Sequence, residues 1–109
     1  ERGLLEALQI IQELEEKTNR MGVAGGKAYN VLWNDWLNLR NLLDVSRLVG
    51  SSALRRRESR GAHYRKDFPR KNNKDYLKNF YIKREKGEAK IYERPVLLKR
   101  LKPEDIGFE

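Results

Sequence analysis

"NVLWNDWLNLRNLLDVSRLVGSSAL", residues 30–54, decides the fold. Val31, Leu32, Trp36, Leu39, Leu42, Leu43, Val45, Leu48, Val49, Ala53 and Leu54 recur at helical steps, and no proline intervenes until Pro69. Such periodicity predicts a long helix. Asn30 suits its N-cap, because a short side-chain oxygen can accept from an orphan N–H of the first turn. Gly61 is the expected C-terminal stop. About thirty residues at ~1.5 Å rise make a rod of roughly 45 Å. Gly50, Ser51 and Ser52 sit mid-helix, where glycine costs about 1 kcal/mol relative to alanine. Small residues there predict either the close approach of a neighbouring element or a kink.

Working outward, "ERGLLEALQIIQELEEK", residues 1–17, places Leu4, Ala7, Leu8, Ile11 and Leu14 on one stripe and Glu6, Glu13, Glu15 and Glu16 off it. This predicts an amphipathic helix with one buried face. "RMGVAGG", residues 20–26, ends it, since three glycines in five residues carry too much backbone entropy for a helix interior. The first helix is too short to cover the rod, so a further partner is expected, either another helix or another domain. The sequence enters a helical pattern at once without a starting Met, which predicts a piece of a longer polypeptide.

Beyond Gly61 the chain is polar and irregular to about Asn73. "DYLKNFYIKREKGEAKIYERPVLL", residues 75–98, then alternates on either side of Lys86-Gly87-Glu88. Phe80, Ile82 and Arg84 alternate with Tyr81 and Lys83, and Ile91 with Lys90 and Tyr92, so a β-hairpin with glycine at its turn is predicted. Pro95 should end the second strand or lie on its edge. The expected fold is mainly α: a helical hairpin or truncated three-helix, spectrin-repeat-like bundle with a long second helix, followed by a small C-terminal β-hairpin. A chain of 109 residues suffices for one domain, helical over about 1–60, with a loop and β-hairpin tail over about 61–109.

There is no cysteine, hence no disulfide framework and no thiolate metal or cluster site. No apolar run approaches the ~18 residues of a spanning helix, so the chain is expected to be soluble. The net charge of +8 is one segment's property. Residues 1–54 carry six basic and seven acidic groups, residues 55–90 fourteen and five, and residues 91–109 four of each. The middle segment is the natural docking surface for something anionic.

Three readings compete for that segment. Ser59 and His63 would share a face if the helix persisted, with Asp67 one further step on, the minimum for a nucleophile, base and orienting acid. Gly61 and Pro69 argue against a continuous helix through all three. With one histidine and scattered carboxylates, a metal site has little to work with. Basic residues interleaved with Tyr64, Phe68, Tyr76, Phe80 and Tyr81 are the ingredients of a nucleic-acid surface. The arginines are, however, interrupted by Glu58, Asp67 and Asp75, and no nucleic-acid-binding signature accompanies them. The third reading is scaffold. Arg55, Arg56, Arg57 and Arg60 would point in several directions from a helix, so some must face inward or toward a partner and pair there with carboxylates or carbonyls. Trp33 and Trp36, three apart, place one ring in the core and one near an interface.

"LRNLLDVSRLVGSSALRRRESRGAHYRKDFP", residues 39–69, resembles the C-terminal domain of the succinate dehydrogenase and fumarate reductase flavoprotein subunit, a superfamily that includes L-aspartate oxidase. The family pattern is an apolar helix ending in Ala-x-x-Arg-x-Glu-Ser-Arg-Gly-Ala-His-x-Arg-x-Asp, then a proline-containing loop. Ala53, Arg56, Glu58, Ser59, Arg60, Gly61, Ala62, His63, Arg65 and Asp67 match it, and Phe68-Pro69 follows. "GLLEAL" is similar to the family's helix start. "KNNKDYLKNFYI" is similar to a segment in which Asn72-Asn73 here replaces an acidic pair. The tail "ERPVLLKRLKPED" is similar to that of the dehydrogenases and reductases, and aspartate oxidases commonly lack it.

The resemblance implies a non-catalytic helical domain packed on a separate flavin-binding domain of the same chain. FAD belongs to the parent protein, and none is expected in this fragment, which lacks Gly-x-Gly-x-x-Gly. No catalytic, cofactor-binding or metal residue is carried over. Arg56, Glu58, Ser59, Arg60, His63, Arg65 and Asp67 are implied to be a structural and interface network that locks the helix end and docks the domain. Asn72-Asn73 is expected to leave the positive charge around Lys71 and Lys74 less compensated. The implied partners are the flavin-binding domain and an iron–sulfur subunit, with no nucleic acid expected. The implied location is cytoplasmic, peripheral at the membrane through partner subunits. An apolar face left uncovered should let the fragment dimerise. The alternatives are an aspartate oxidase parent and, from another class, a basic nucleic-acid-binding module.

Overall fold

The structure is a computed structural model and describes residues 1–100 and 102. Its elements are α1 (Arg2–Arg20), α2 (Val31–Arg55), a single turn α3 (Asn73–Tyr76), and strands β1 (Lys78–Glu85) and β2 (Glu88–Pro95). They divide between two compact units, Glu1–Leu54 and Arg55–Glu109. The last residues of the "ERPVLLKRLKPED" tail lie outside the described residues. No helix among the described residues is long and apolar enough to cross a membrane.

The first unit is an antiparallel helical hairpin. Gly50, late in α2, lies against Leu8, early in α1: a Cβ on Gly50 would sit 3.0 Å from Leu8 Cδ2. One turn back, Arg47 Nε meets Glu15 Oε1 at 3.0 Å. The small residues of α2 thus serve close approach, and α2 runs through them as one unbroken helix. Leu43 and Thr18 are buried where the helices meet, and the Thr18 hydroxyl donates to the Leu14 carbonyl at 2.8 Å. Trp33 and Trp36 are both half-buried and pack edge to face, 5.5 Å apart.

The connection between the helices is held by one side chain. Asn30 Nδ2 donates to the carbonyls of Ala24 (2.8 Å) and Gly26 (3.0 Å), while its Oδ1 accepts from the N–H of Leu32. Asn30 is therefore the N-cap anticipated for α2 and also the clamp of the preceding loop.

α2 stops at Arg55, short of the stop expected at Gly61. The reason is chemical. Arg56 and Glu58 must both turn inward, which helix positions two residues apart, about 200° around the axis, do not allow. Extended backbone does. In the second unit a two-residue turn follows, in which Arg60 and His63 exchange main-chain hydrogen bonds of 2.8 and 3.0 Å around Gly61 at φ 57°. A positive φ is the conformation glycine adopts without steric cost.

The hairpin has the expected turn. Lys86 and Gly87 have φ of 51° and 88°, the two positive values of a type I′ turn, and fix the antiparallel register Ile82↔Ile91 and Tyr81↔Tyr92. Tyr81 and Tyr92 stack at 5.4 Å, and Pro95 is the last residue of β2, opposite Lys78.

Candidate functional site: a carboxylate between two arginines

Glu58 is the centre of the second unit. Its side chain has no exposed surface, and its two oxygens accept from four donors. Oε1 takes Arg56 Nη1 and Arg60 Nε (2.8 Å); Oε2 takes Arg60 Nη2 (3.1 Å) and the main-chain N–H of Asn72 (2.8 Å). Burial alone would raise this carboxyl. The hydrogen bonds from Arg60, Asn72 and Arg56 outweigh burial and hold it below its ordinary value of 4.5.

The two arginines extend the network. Arg56 reaches the carbonyls of Tyr76 (3.1 Å) and Lys78 (2.7 Å), and its guanidinium lies 4.5 Å from the Phe80 ring centre. Within the second unit, Arg56 is thereby tied to the start of β1. Arg60 also donates to Asn73 Oδ1 at 2.7 Å. Asn72 in turn caps α3, its Oδ1 accepting from the Asp75 N–H at 3.0 Å.

A second cluster adjoins the first. Arg65, 3% exposed, embraces Asp67 with Nε on Oδ1 (3.0 Å) and Nη2 on Oδ2 (2.5 Å), lies over the Phe68 ring and donates to the Arg56 carbonyl (3.2 Å). His63 Nε2 lies 3.3 Å from that same carbonyl. Two side chains thus serve an acceptor just past the helix end, where no intrahelical donor remains. The Arg65 hydrogen bonds hold the Asp67 carboxyl well below the usual carboxylate range. The Ser59 hydroxyl donates to the Phe68 carbonyl (2.8 Å) and accepts from the Arg65 N–H (2.9 Å).

The structure therefore brings Arg56, Glu58 and Arg60 together and joins Ser59, His63, Arg65 and Asp67 beside them. It does not align Ser59, His63 and Asp67 on one helical face, because none of the three is helical. Ser59 turns to backbone and Asp67 to Arg65, so the nucleophile–base–acid reading has no geometry to support it. Among the described residues no three His, Cys, Asp or Glu side chains group as metal ligands. Arg55, the first arginine of the basic run, pairs with Glu93 at 3.0 Å.

Sequence reasoning did not foresee what Asn72 and Asn73 do. Read only as a loss of negative charge, they also supply a main-chain donor to Glu58 and a side-chain acceptor to Arg60. The available signal was an asparagine followed three residues later by an aspartate, the pattern of a capped turn. It also missed that the Tyr76 and Lys78 carbonyls receive Arg56.

Comparison with known proteins follows the same residues. A family model described as the fumarate reductase flavoprotein C-terminus matches residues 1–107. An uncharacterised FAD-dependent oxidoreductase of Methanocaldococcus jannaschii is 40% identical over 86 residues, 79% of this chain and 15% of that protein. The fumarate reductase flavoprotein subunit of Mycobacterium tuberculosis is 33% identical over 102 residues, 92% of this chain and 18% of that protein. A succinate dehydrogenase flavoprotein subunit of Rickettsia conorii is 38% identical over 80 residues, 69% of this chain and 13% of that protein. The chain spans less than a fifth of the length of these curated relatives. With its helical hairpin, its Glu58 centre and its β-hairpin all inside the matched stretch, the chain belongs to the family of fumarate reductase flavoprotein C-terminal domains.

Proposed function

We propose that the chain is a non-catalytic helical domain of an FAD-dependent succinate dehydrogenase or fumarate reductase flavoprotein, which stabilises the flavin domain by docking onto it. The observation that carries the reading is the inward spending of the motif's chemistry. Glu58, Ser59 and Arg65, the groups a reaction would need free, are part-buried or buried and bonded within the chain. Residues arranged in this way hold shape.

Among the described residues the usual flavin-binding unit is not formed. The two strands form an antiparallel hairpin rather than a parallel βαβ unit with a glycine-rich phosphate turn. The cavity beside Glu15, Arg40 and Asp44 has a volume of about 140 Å³, far below that of a dinucleotide. FAD would lie in the parent's own dinucleotide-binding domain, where hydride would pass between flavin and dicarboxylate and electrons leave toward an iron–sulfur subunit. The parent would work in the cytoplasm, held peripherally at the membrane by its partner subunits.

The relatives named above favour the succinate and fumarate branch over L-aspartate oxidase. Residues 1–109 and the remainder of the flavoprotein, expressed as separate chains, should associate and raise the thermal midpoint of the flavin-containing part. Turnover of succinate by residues 1–109 alone, or no association, overturns the reading. Leu39, Leu42, Val45 and Val49 stand more than a third exposed along α2, and in the absence of the flavin domain a concentration series should show self-association.

A further inference from the structure

We infer that the loop between α1 and α2 is a preformed docking element. In this reading Tyr29 inserts as an anchor into an apolar pocket of a protein surface whose rim carries carboxylates. Four observations converge on it.

Tyr29 is the most exposed large apolar side chain described, with its whole surface open to solvent. It is also held in the left-handed region at φ 56°, a conformation that costs a residue with a Cβ roughly 1–2 kcal/mol. Glycine would avoid that cost, and the loop already contains three. A tyrosine kept there points outward for a reason other than folding.

Side-chain hydrogen bonds hold the backbone of the loop that presents it. Asn30, the next residue, clamps the Ala24 and Gly26 carbonyls and caps α2 with the same side chain. Gly25 at φ 86° leaves room for that clamp, since a Cβ there would come within 3.3 Å of Asn30 Nδ2. A backbone held in place before encounter loses little conformational freedom on binding. Tyrosine is among the residues that dominate interface energetics.

Apolar side chains surround the anchor in sequence: Met21, Val31 and Leu32 are each more than half exposed. Charge then selects the partner. From residue 17 to residue 34 the chain carries Lys17, Arg20 and Lys27 and no carboxylate, although its neighbours α1 and α2 carry both signs. Lys27 is held near the loop, its Nζ 5.3 Å from the Trp33 ring centre. A stretch with three cations and no carboxylate on either side of an aromatic anchor matches a pocket bordered by Asp or Glu. This assignment does not depend on which flavoprotein, or which of its subunits, supplies the surface.

The test is photo-crosslinking in cells of the full-length protein with p-benzoylphenylalanine in place of Tyr29, and the adducts mapped to peptides. The expected result is one dominant protein site with carboxylates next to the captured residue, lost on Lys27→Glu and retained on Lys27→Arg. Crosslinks to lipid or nucleic acid, crosslinks scattered over many proteins, or an adduct indifferent to Lys27→Glu overturn the inference. Tyr29→Gly gives an independent check. It should leave the thermal midpoint of the chain unchanged or higher while a photo-label at Val31 no longer captures the site. A lowered midpoint would show that Tyr29 serves folding, and an unchanged Val31 capture would show that it is no anchor.

Discussion

The two units solve the problem of a small core in opposite ways. In Glu1–Leu54, Leu43 is the one apolar side chain buried among the described residues, and most of the α2 stripe stays open. In the unit that starts at Arg55, the buried side chains are charged: Glu58, with no exposure, and Arg65. The first unit depends on helix propensity and on the close fit of Gly50 on Leu8. The second depends on saturating every donor and acceptor it buries. An apolar contact can be lost by degrees, whereas a buried charge that loses a partner pays its full desolvation.

That asymmetry can be broken at its strongest point first. Glu58→Gln removes the charge that Arg56 and Arg60 share and should destabilise the second unit by about 3–5 kcal/mol in a denaturant titration. A loss under about 1 kcal/mol would mean the carboxylate is not the centre of the network. The same group sets a pH dependence. Its folded value lies below the ordinary 4.5, so its stabilisation is complete above that pH and is lost as pH falls through the lower folded value. Acid titration should expose the Asn72 amide to exchange in the native chain, and Glu58→Gln should abolish that pH step.

In the first unit, Leu43→Ala should cost about 2–3 kcal/mol, the lower part of the usual range, because so much of the surrounding apolar surface is already wet. Gly50→Leu should cost about 1–3 kcal/mol through overpacking against Leu8, read as a lower thermal midpoint with helicity preserved. If it stabilised the hairpin, the close approach would not be a constraint. Asn72→Ala should cost about 1 kcal/mol by removing the α3 cap, less than Glu58→Gln because the main-chain N–H that serves Glu58 remains.

Legibility in the sequence followed the range of the interactions. Both long helices, the Asn30 cap and the glycine-bearing hairpin turn depend on residues a few positions apart, and periodicity and turn chemistry read them directly. The end of α2 was misread because its stop is set by Arg56 and Glu58 turning toward groups as distant as Lys78. Likewise Asn72 and Asn73 look like lost charge until Glu58 and Arg60 are placed beside them. Tyr29 carries no sequence signal: an aromatic before an N-cap reads as ordinary, and only its backbone angle and exposure set it apart.

The bond from Arg56 to the Lys78 carbonyl has a temporal consequence. It closes a loop of some twenty residues, so the chain must bring the base of β1 back to Arg56 before Glu58 can be shut in. The hairpin can form early from local contacts, and the enclosure of Glu58 is expected to follow it. Variants at Arg56 should therefore accelerate unfolding far more than they slow refolding.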